Sequence, residues 1–346
     1  MDTFDSMETL RERFYLLMNA PALFNAIATG VELGVFRYLS AEPQSDIASI
    51  QCAVSVPCHQ LRVLMQALCA TGLVTRTDGR YSNSSVAQEL LASDAEDSWS
   101  HILLGWRDVY YPAFAQMTPA LRTGTNLALD AYRGNEPTLY GRLSHHPALE
   151  AVFHRAMGAF TLRSVDALVA RAEFGSVVHL LDVGGGDGVT SSRLVKRHAD
   201  LRCTILDIPS VSDIADGKID DSLRGRIIVR PLDIFVDDFP VGADAVLFSH
   251  VLEIFAEDRI LMLLRKAYDA LPLGGRVFVY GYNVSADETS GIFGARLGLY
   301  FNVLASGQGM AYPASDYESW LSQVGFTDVT TVVGLPYEHG LSMGTK

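Results

Sequence analysis

Positive charge is scarce in this chain. Lys and Arg number 27 against 40 Asp and Glu, for a net charge of −13 at neutral pH. That balance argues against neutralising a phosphate backbone as the main task. It leaves room for a small anionic substrate, which answers to the local field. Cysteine is rarer still. Cys52, Cys58, Cys69 and Cys203 are the full set, and they lack a paired metal-type spacing. Reduced thiols and no metal site are therefore expected. No uninterrupted apolar run reaches about 18 residues, so no membrane span is expected. The acidic opening Met1-Asp2-Thr3-Phe4-Asp5 lacks the basic n-region of a signal peptide, and a cytoplasmic protein is expected. Internal repeats and low-complexity tracts are missing too. What is present is 346 residues, 49% hydrophobic and 19% charged, enough for two domains with sizeable cores.

The chain is organised around Val178-His179-Leu180-Leu181-Asp182-Val183 and the glycine run that follows, Gly184-Gly185-Gly186-Asp187-Gly188. The short apolar run predicts a buried parallel strand. The glycines let the backbone turn sharply and approach a ligand closely. Val189 to Arg197 predicts a helix, so the turn sits at a helix N-terminus, as in the first unit of a Rossmann-like nucleotide site. A dinucleotide fingerprint would need a glycine at position 189, which is Val189. A second apolar run, Cys203 to Leu206, ends in Asp207, about 20 residues past the glycines, where an acid suits the two hydroxyls of a ribose. A nucleoside-type cofactor is expected.

Leu181-Asp182-Val183-Gly184-Gly185-Gly186-Asp187-Gly188 followed by Asp207-Ile208-Pro209 resembles the cofactor signature of S-adenosylmethionine-dependent small-molecule methyltransferases. The similarity is to the plant caffeate-type and bacterial antibiotic O-methyltransferases, and it spans nearly the whole chain. It implies an α/β fold: a Rossmann-like class I methyltransferase domain over 171–346, behind an N-terminal all-helical winged-helix dimerisation domain over 1–95. Residues 96–170 form a helical linker and substrate-pocket segment. It also implies S-adenosyl-L-methionine as cofactor, a homodimer, a small-molecule substrate, and no nucleic-acid or membrane partner. Gly184, Gly186, Asp207 and Ser249 are the implied cofactor residues, with Asp233 beside the adenine and Ile234 and Phe235 packed on its ring.

The residues themselves support that division. Leu17, Met18, Phe24, Ile27 and Ala28 recur at helical spacing, and Gly34 marks a helix stop. Further helices are expected at 35–39, 46–52 and 60–70. Residues 72–76 and 80–82 flank Asp78-Gly79, a hairpin signal, and helices followed by this two-stranded wing describe a winged helix. DNA binding by its second helix is the competing use. Arg11, Arg13, Arg37, Arg62, Arg76 and Arg80 are the only cations before position 95, against ten Asp and Glu. That sign favours dimerisation over DNA. From 96 to 170 aromatic residues accumulate, including Trp106, Tyr110, Tyr140 and Phe160. They suit core packing or an apolar pocket for a flat substrate. By resemblance Phe153, Met157 and Phe160 lie between cofactor and acceptor, and Tyr300 and Asn302 line the acceptor pocket.

A hydroxyl acceptor needs a general base. Relatives place a His there, within Leu-His-Asp-Trp; this chain has Leu252-Glu253-Ile254-Phe255. The two supporting acids also fall on other residues, Gly281 and the run Gln308 to Pro313. Three accounts are open. Glu253 serves as base or anchor, His250 takes over the base, or the acceptor needs no strong base. The joint loss of all three groups favours the third, with C- or N-methylation of a small aromatic natural-product precursor ahead of O-methylation. A methyltransferase fold with non-methylating chemistry, and a cofactor-sensing winged-helix regulator, are the more distant alternatives.

Overall fold

The computed structural model describes residues 7–346. Two compact units divide between Asp108 and Val109, so the aromatic-rich segment 96–170 is shared between them.

In the first unit a long helix, Met7–Glu32, precedes helices Val35–Ala41, Ile47–Val54 and Cys58–Ala70. Gly34 adopts φ 77°, which ends the first helix and starts the next. The Asp46 carboxylate accepts the Ser49 N–H at 2.9 Å and caps the third helix. Strands β1 (Val74–Thr77) and β2 (Arg80–Asn83) pair antiparallel across Asp78 and Gly79, both at positive φ, as a two-residue hairpin requires. Leu61, Met65 and Leu68 recur every third or fourth residue and bury one helix face against Phe36, Leu39 and Ile50. The first helix behaves differently. Phe14, Tyr15, Leu16, Leu17 and Met18 stand exposed on it. Among the described residues its segment Thr9–Glu32 is long and apolar enough to cross a membrane, by length and composition only. That differs from the expectation drawn from uninterrupted runs, because scattered polar residues break the run without lowering its mean hydropathy enough.

The second unit is built on a seven-stranded sheet. Its strands are β3 (His179–Val183), β4 (Arg202–Asp207), β5 (Ile227–Pro231), β6 (Ala245–Ser249), β7 (Arg276–Tyr282), β8 (Thr327–Leu335) and β9 (His339–Thr345). Their order is β5-β4-β3-β6-β7-β9-β8. Neighbours from β5 to β7 are parallel, and β9 runs antiparallel to both β7 and β8. Near-continuous apolar strands follow from helices covering both faces: Leu180, Leu181 and Val183 are fully buried, each stabilising the fold by about 1.5–3 kcal/mol. The strand order reverses between β3 and β6, and in open parallel sheets ligands bind outside the carboxyl ends at such a switch point.

Candidate active site

Gly184, Asp207 and Ser249 lie along that carboxyl edge. Val183 pairs with both Leu206 and Phe248, so the residues that follow emerge side by side. Gly184 and Gly186 adopt φ 68° and 58°. A Cβ on Gly184 would come within 2.6 Å of Val251, while one on Gly186 would meet nothing within 4 Å. The turn is thus packed on one side and open on the other. Asp207 braces it: Oδ2 accepts the Gly186 N–H at 2.9 Å and Oδ1 the Ile208 N–H at 2.8 Å. Burial pushes this carboxyl up to about 6, against the pull of those two donors. Each carboxylate oxygen keeps a second lone pair, which suits two vicinal ribose hydroxyls.

Asp182, given no site role from the sequence, is a second buried acid. It sits fully buried in β3, where Oδ2 accepts the Ser191 hydroxyl at 2.6 Å and ties the strand to the helix Val189–Arg197. Burial first, and the Asp207 charge with it, raise its carboxyl to about 6. An acid whose folded value exceeds its ordinary 3.8 loses stability as pH rises from 3.8 through 6. Asp182→Asn keeps an acceptor for Ser191 and removes the charge. Thermal melts of cofactor-free protein between pH 4.5 and 7.5 are expected to show a stability loss from this group of about 2 kcal/mol in wild type and a flatter curve in the variant. Equal curves would show that Asp182 is not the source.

Asp233, Ile234 and Phe235 follow β5 at the same edge. Asp233 Oδ1 accepts the Phe235 N–H at 2.9 Å, which rounds the turn. Phe235 meets Phe255 edge-on at 4.8 Å, and the Arg259 guanidinium lies 5.0 Å from its ring. Lys266 donates to the Ile234 carbonyl at 2.9 Å. An aromatic wall beside an ordered carboxylate suits a purine, so the residues present fit an adenosyl group.

Past Ser249 the backbone makes a left-handed step. His250 has φ 59°, an uncommon conformation for a residue with a side chain, and its N–H donates to the Tyr280 carbonyl at 2.8 Å. Strain of this kind is retained where the surroundings over-determine it. Here it aims the imidazole at Glu253: Nδ1 lies 3.1 Å from Glu253 Oε1. Glu253 is in the turn Leu252–Ile254 and only 1% exposed, so it is no solvated surface carboxylate. A Cβ on residue 281 would lie 2.8 Å from both Glu253 oxygens; Gly281 provides the space the carboxylate fills. The run Gln308 to Pro313 backs the same turn. Gly309 packs against the Glu253 and Ile254 backbone, and Ser306, just before the run, donates to the Ile254 carbonyl at 2.6 Å. The three positions where relatives carry a His and two acids therefore converge around one pair, the half-buried His250 and the buried Glu253. The His250 Nε2 is a buried atom with no hydrogen-bond partner among the described residues.

An aromatic chamber surrounds the pair. His250 lies 4.8 Å from His339 and 5.5 Å from Tyr282 by ring centroid, and Phe160 lies 6.1 Å from both Tyr282 and His339. His339 sits across the β7–β9 ladder from Tyr282, and its Nδ1–H donates to the Pro336 carbonyl at 2.6 Å. Burial and the His250 neighbour hold it down to about 3, so it is a neutral wall residue. Met157, one helical turn before Phe160, receives the Tyr110 hydroxyl at 3.7 Å. Tyr110 stacks on Tyr300 at 3.9 Å, and Phe153 meets Tyr140 at 5.9 Å. Phe153, Met157, Phe160 and Tyr300 thus share this region. Asn302 turns to the backbone, its amide donating to the Gly298 and Gly309 carbonyls at 2.9 and 2.8 Å. Sequence reasoning passed over Arg296, although a lone cation in the apolar helix Ile292–Tyr300 was a visible signal.

This fold and edge define a class I S-adenosylmethionine-dependent methyltransferase. An O-methyltransferase domain profile matches residues 114–327, and an O-methyltransferase dimerisation domain profile matches 15–93. The chain is 33% identical over 337 residues to the L-tyrosine C(3)-methyltransferase of Streptomyces lavendulae, covering 96% of this chain and 92% of that one. The apo crystal structure of the S-adenosylmethionine-dependent methyltransferase SibL superposes with a TM-score of 0.81 at 33% identity, over 96% of this chain and 98% of that one. Human N-acetylserotonin methyltransferase, solved with S-adenosylmethionine, superposes at 0.87 over 100% of this chain and 99% of that one; at 20% identity it speaks for the fold alone. The chain belongs to the O-methyltransferase family, and S-adenosylmethionine is its cofactor.

Proposed function

We propose that this enzyme methylates a ring carbon of a small phenolic natural-product precursor, with His250 as general base and Glu253 as the carboxylate that orients it. The observation that carries the reading is the 3.1 Å contact from His250 Nδ1 to buried Glu253, which leaves Nε2 as the proton-accepting atom. His250 Nε2 takes the phenol proton, and Glu253 stabilises the imidazolium that forms. The electron pair left on oxygen is shared with the ortho ring carbon. Bound S-adenosylmethionine supplies the methyl group, whose bond to sulfur breaks as the new carbon–carbon bond forms. The proton on that carbon then leaves to bulk water, the imidazolium returns its proton to the oxygen, and the ring recovers its aromaticity with His250 neutral again. The chamber holds the ring and excludes water, so positioning supplies much of the rate. Carbon is preferred to oxygen and nitrogen because the 33% identical relative is named for methylation at C-3 of tyrosine.

Methyl-labelled cofactor with a panel of phenols, L-tyrosine included, tests this. Label on a ring carbon is expected by NMR. Label recovered as a methyl ether would assign O-methylation through the same pair, and no transfer to any phenol would end the reading.

The exposed apolar residues of the helix Met7–Glu32 fall mostly within the matched dimerisation profile, and we infer that a second copy covers them. Sedimentation equilibrium is expected to give twice the chain mass, and Phe14→Glu with Leu17→Glu to lower it. A monomeric wild type that co-sediments with lipid vesicles would replace dimerisation with membrane contact.

A further inference from the structure

Phe293, Arg296 and Tyr300 are spaced three and seven residues apart on the helix Ile292–Tyr300, so they lie along one face. That face looks into the chamber at both ends. The Phe293 ring is 6.3 Å from Phe160, and the Tyr300 ring is 3.9 Å from Tyr110. Between them the Arg296 guanidinium lies over the Tyr110 ring, 5.5 Å from its centroid. A cation at this place is unexpected on two counts. The chain as a whole is strongly acidic, and the surrounding wall is aromatic. Arginine in such a wall is the residue best suited to gripping a planar carboxylate, because its N–H groups form a flat fork that matches two oxygens.

The second charge in the chamber is the buried Glu253 carboxylate. Tyr282 feels both, Arg296 favouring ionisation of its hydroxyl and Glu253 opposing it, while burial keeps it neutral. The chamber therefore presents a proton acceptor and a fixed cation to one ligand. A neutral phenol would use only the first.

We propose that Arg296 anchors a carboxylate of the acceptor, so that the substrate class is a phenolic carboxylic acid, amino acids included, with the phenol at His250 and the carboxylate at Arg296. This rests on the phenolic reading above. Arg296 is here a specificity residue that binds, not one that moves a proton. Its charge is worth most for binding: losing one charge-assisted, partly buried pair weakens affinity about 10- to 100-fold.

Calorimetry on protein saturated with S-adenosylhomocysteine tests it without any turnover. L-Tyrosine, 3-(4-hydroxyphenyl)propionate and tyramine share the phenol, and only the first two carry a carboxylate. Wild type is expected to bind both carboxylates at least about tenfold more tightly than tyramine. Arg296→Gln should bring all three to the tyramine level, Arg296→Lys should keep part of the preference, and both should bind the demethylated cofactor as wild type does. A wild type without carboxylate preference, whether it binds all three equally or none, overturns the proposal. So does a preference that survives Arg296→Gln. The two readings fail separately. Carboxylate preference without methyl transfer removes the methylation proposal alone, and methylation of tyramine as readily as tyrosine removes the Arg296 assignment alone.

Discussion

Replacing His250 by Gln is expected to lower kcat about 10²- to 10⁴-fold while cofactor affinity stays within a few-fold of wild type. Positioned general bases contribute on that scale, and His250 Nε2 is a buried nitrogen with no hydrogen-bond partner among the described residues. Glu253→Gln should cost less, because the amide still meets Nδ1 but no longer stabilises a cation on the ring. Gly281→Ala tests the pair from the opposite side. Its new methyl would sit 2.8 Å from both carboxylate oxygens and push Glu253 away from His250. A kcat loss close to that of Glu253→Gln, with calorimetric cofactor binding preserved, is expected. If His250→Gln turns over normally, the pair is structural, and an acceptor that needs no base becomes the better account.

Asp207→Ala carries the second large effect. The substitution removes the acceptor of the Gly186 and Ile208 N–H groups and the two acceptor positions proposed for the ribose. Each of the two lost charge-assisted bonds is worth about 1.5–3 kcal/mol, so affinity for S-adenosylmethionine should fall roughly 10²- to 10⁴-fold. The wild-type pH dependence has a definite sign. Ribose hydroxyls donate, so binding needs the ionised carboxylate. Burial holds its midpoint at about 6. Affinity should be full above that value and weaken as pH falls through it, approaching tenfold per pH unit below. Titrations from pH 5 to 8 on wild type and Asp207→Ala check this: the variant should lose the slope together with the affinity. A wild-type affinity that is flat across pH 6 would place the ribose contact elsewhere.

Local pattern made much of this molecule legible. A strand over 178–183 and the helix Val189–Arg197 follow from short-range apolar periodicity and glycine placement; the structure has the strand at His179–Val183 and the helix as expected. Asp78-Gly79 announces its hairpin because only a few residue types accept two successive positive φ angles. Strand ends are set less locally. β7 reaches Tyr282 because β9 pairs with it as far as Tyr282 and His339, and no local signal carries a partner 57 positions away.

The His–Glu pair shows the limit most clearly. In one dimension Glu253 stands where relatives have a base, and the supporting acids are simply missing. In three dimensions a backbone step at His250 and a missing side chain at Gly281 bring imidazole and carboxylate together. Neither the φ angle nor the vacated volume is a property of residue type.

The sequence by itself determined the cofactor edge, since strand, glycine turn and acid are local features whose chemistry is set by spacing along the chain. Only the tertiary structure decided what lines the aromatic chamber. His250 and Glu253 after β6, Tyr282 on β7, His339 on β9, Phe160 in the helix Pro147–Val169 and Arg296 in the helix Ile292–Tyr300 come from segments scattered over about 180 residues. They meet because β9 returns beside β7 and because both helices bury their aromatic faces over that end of the sheet, contacts set by packing between distant elements.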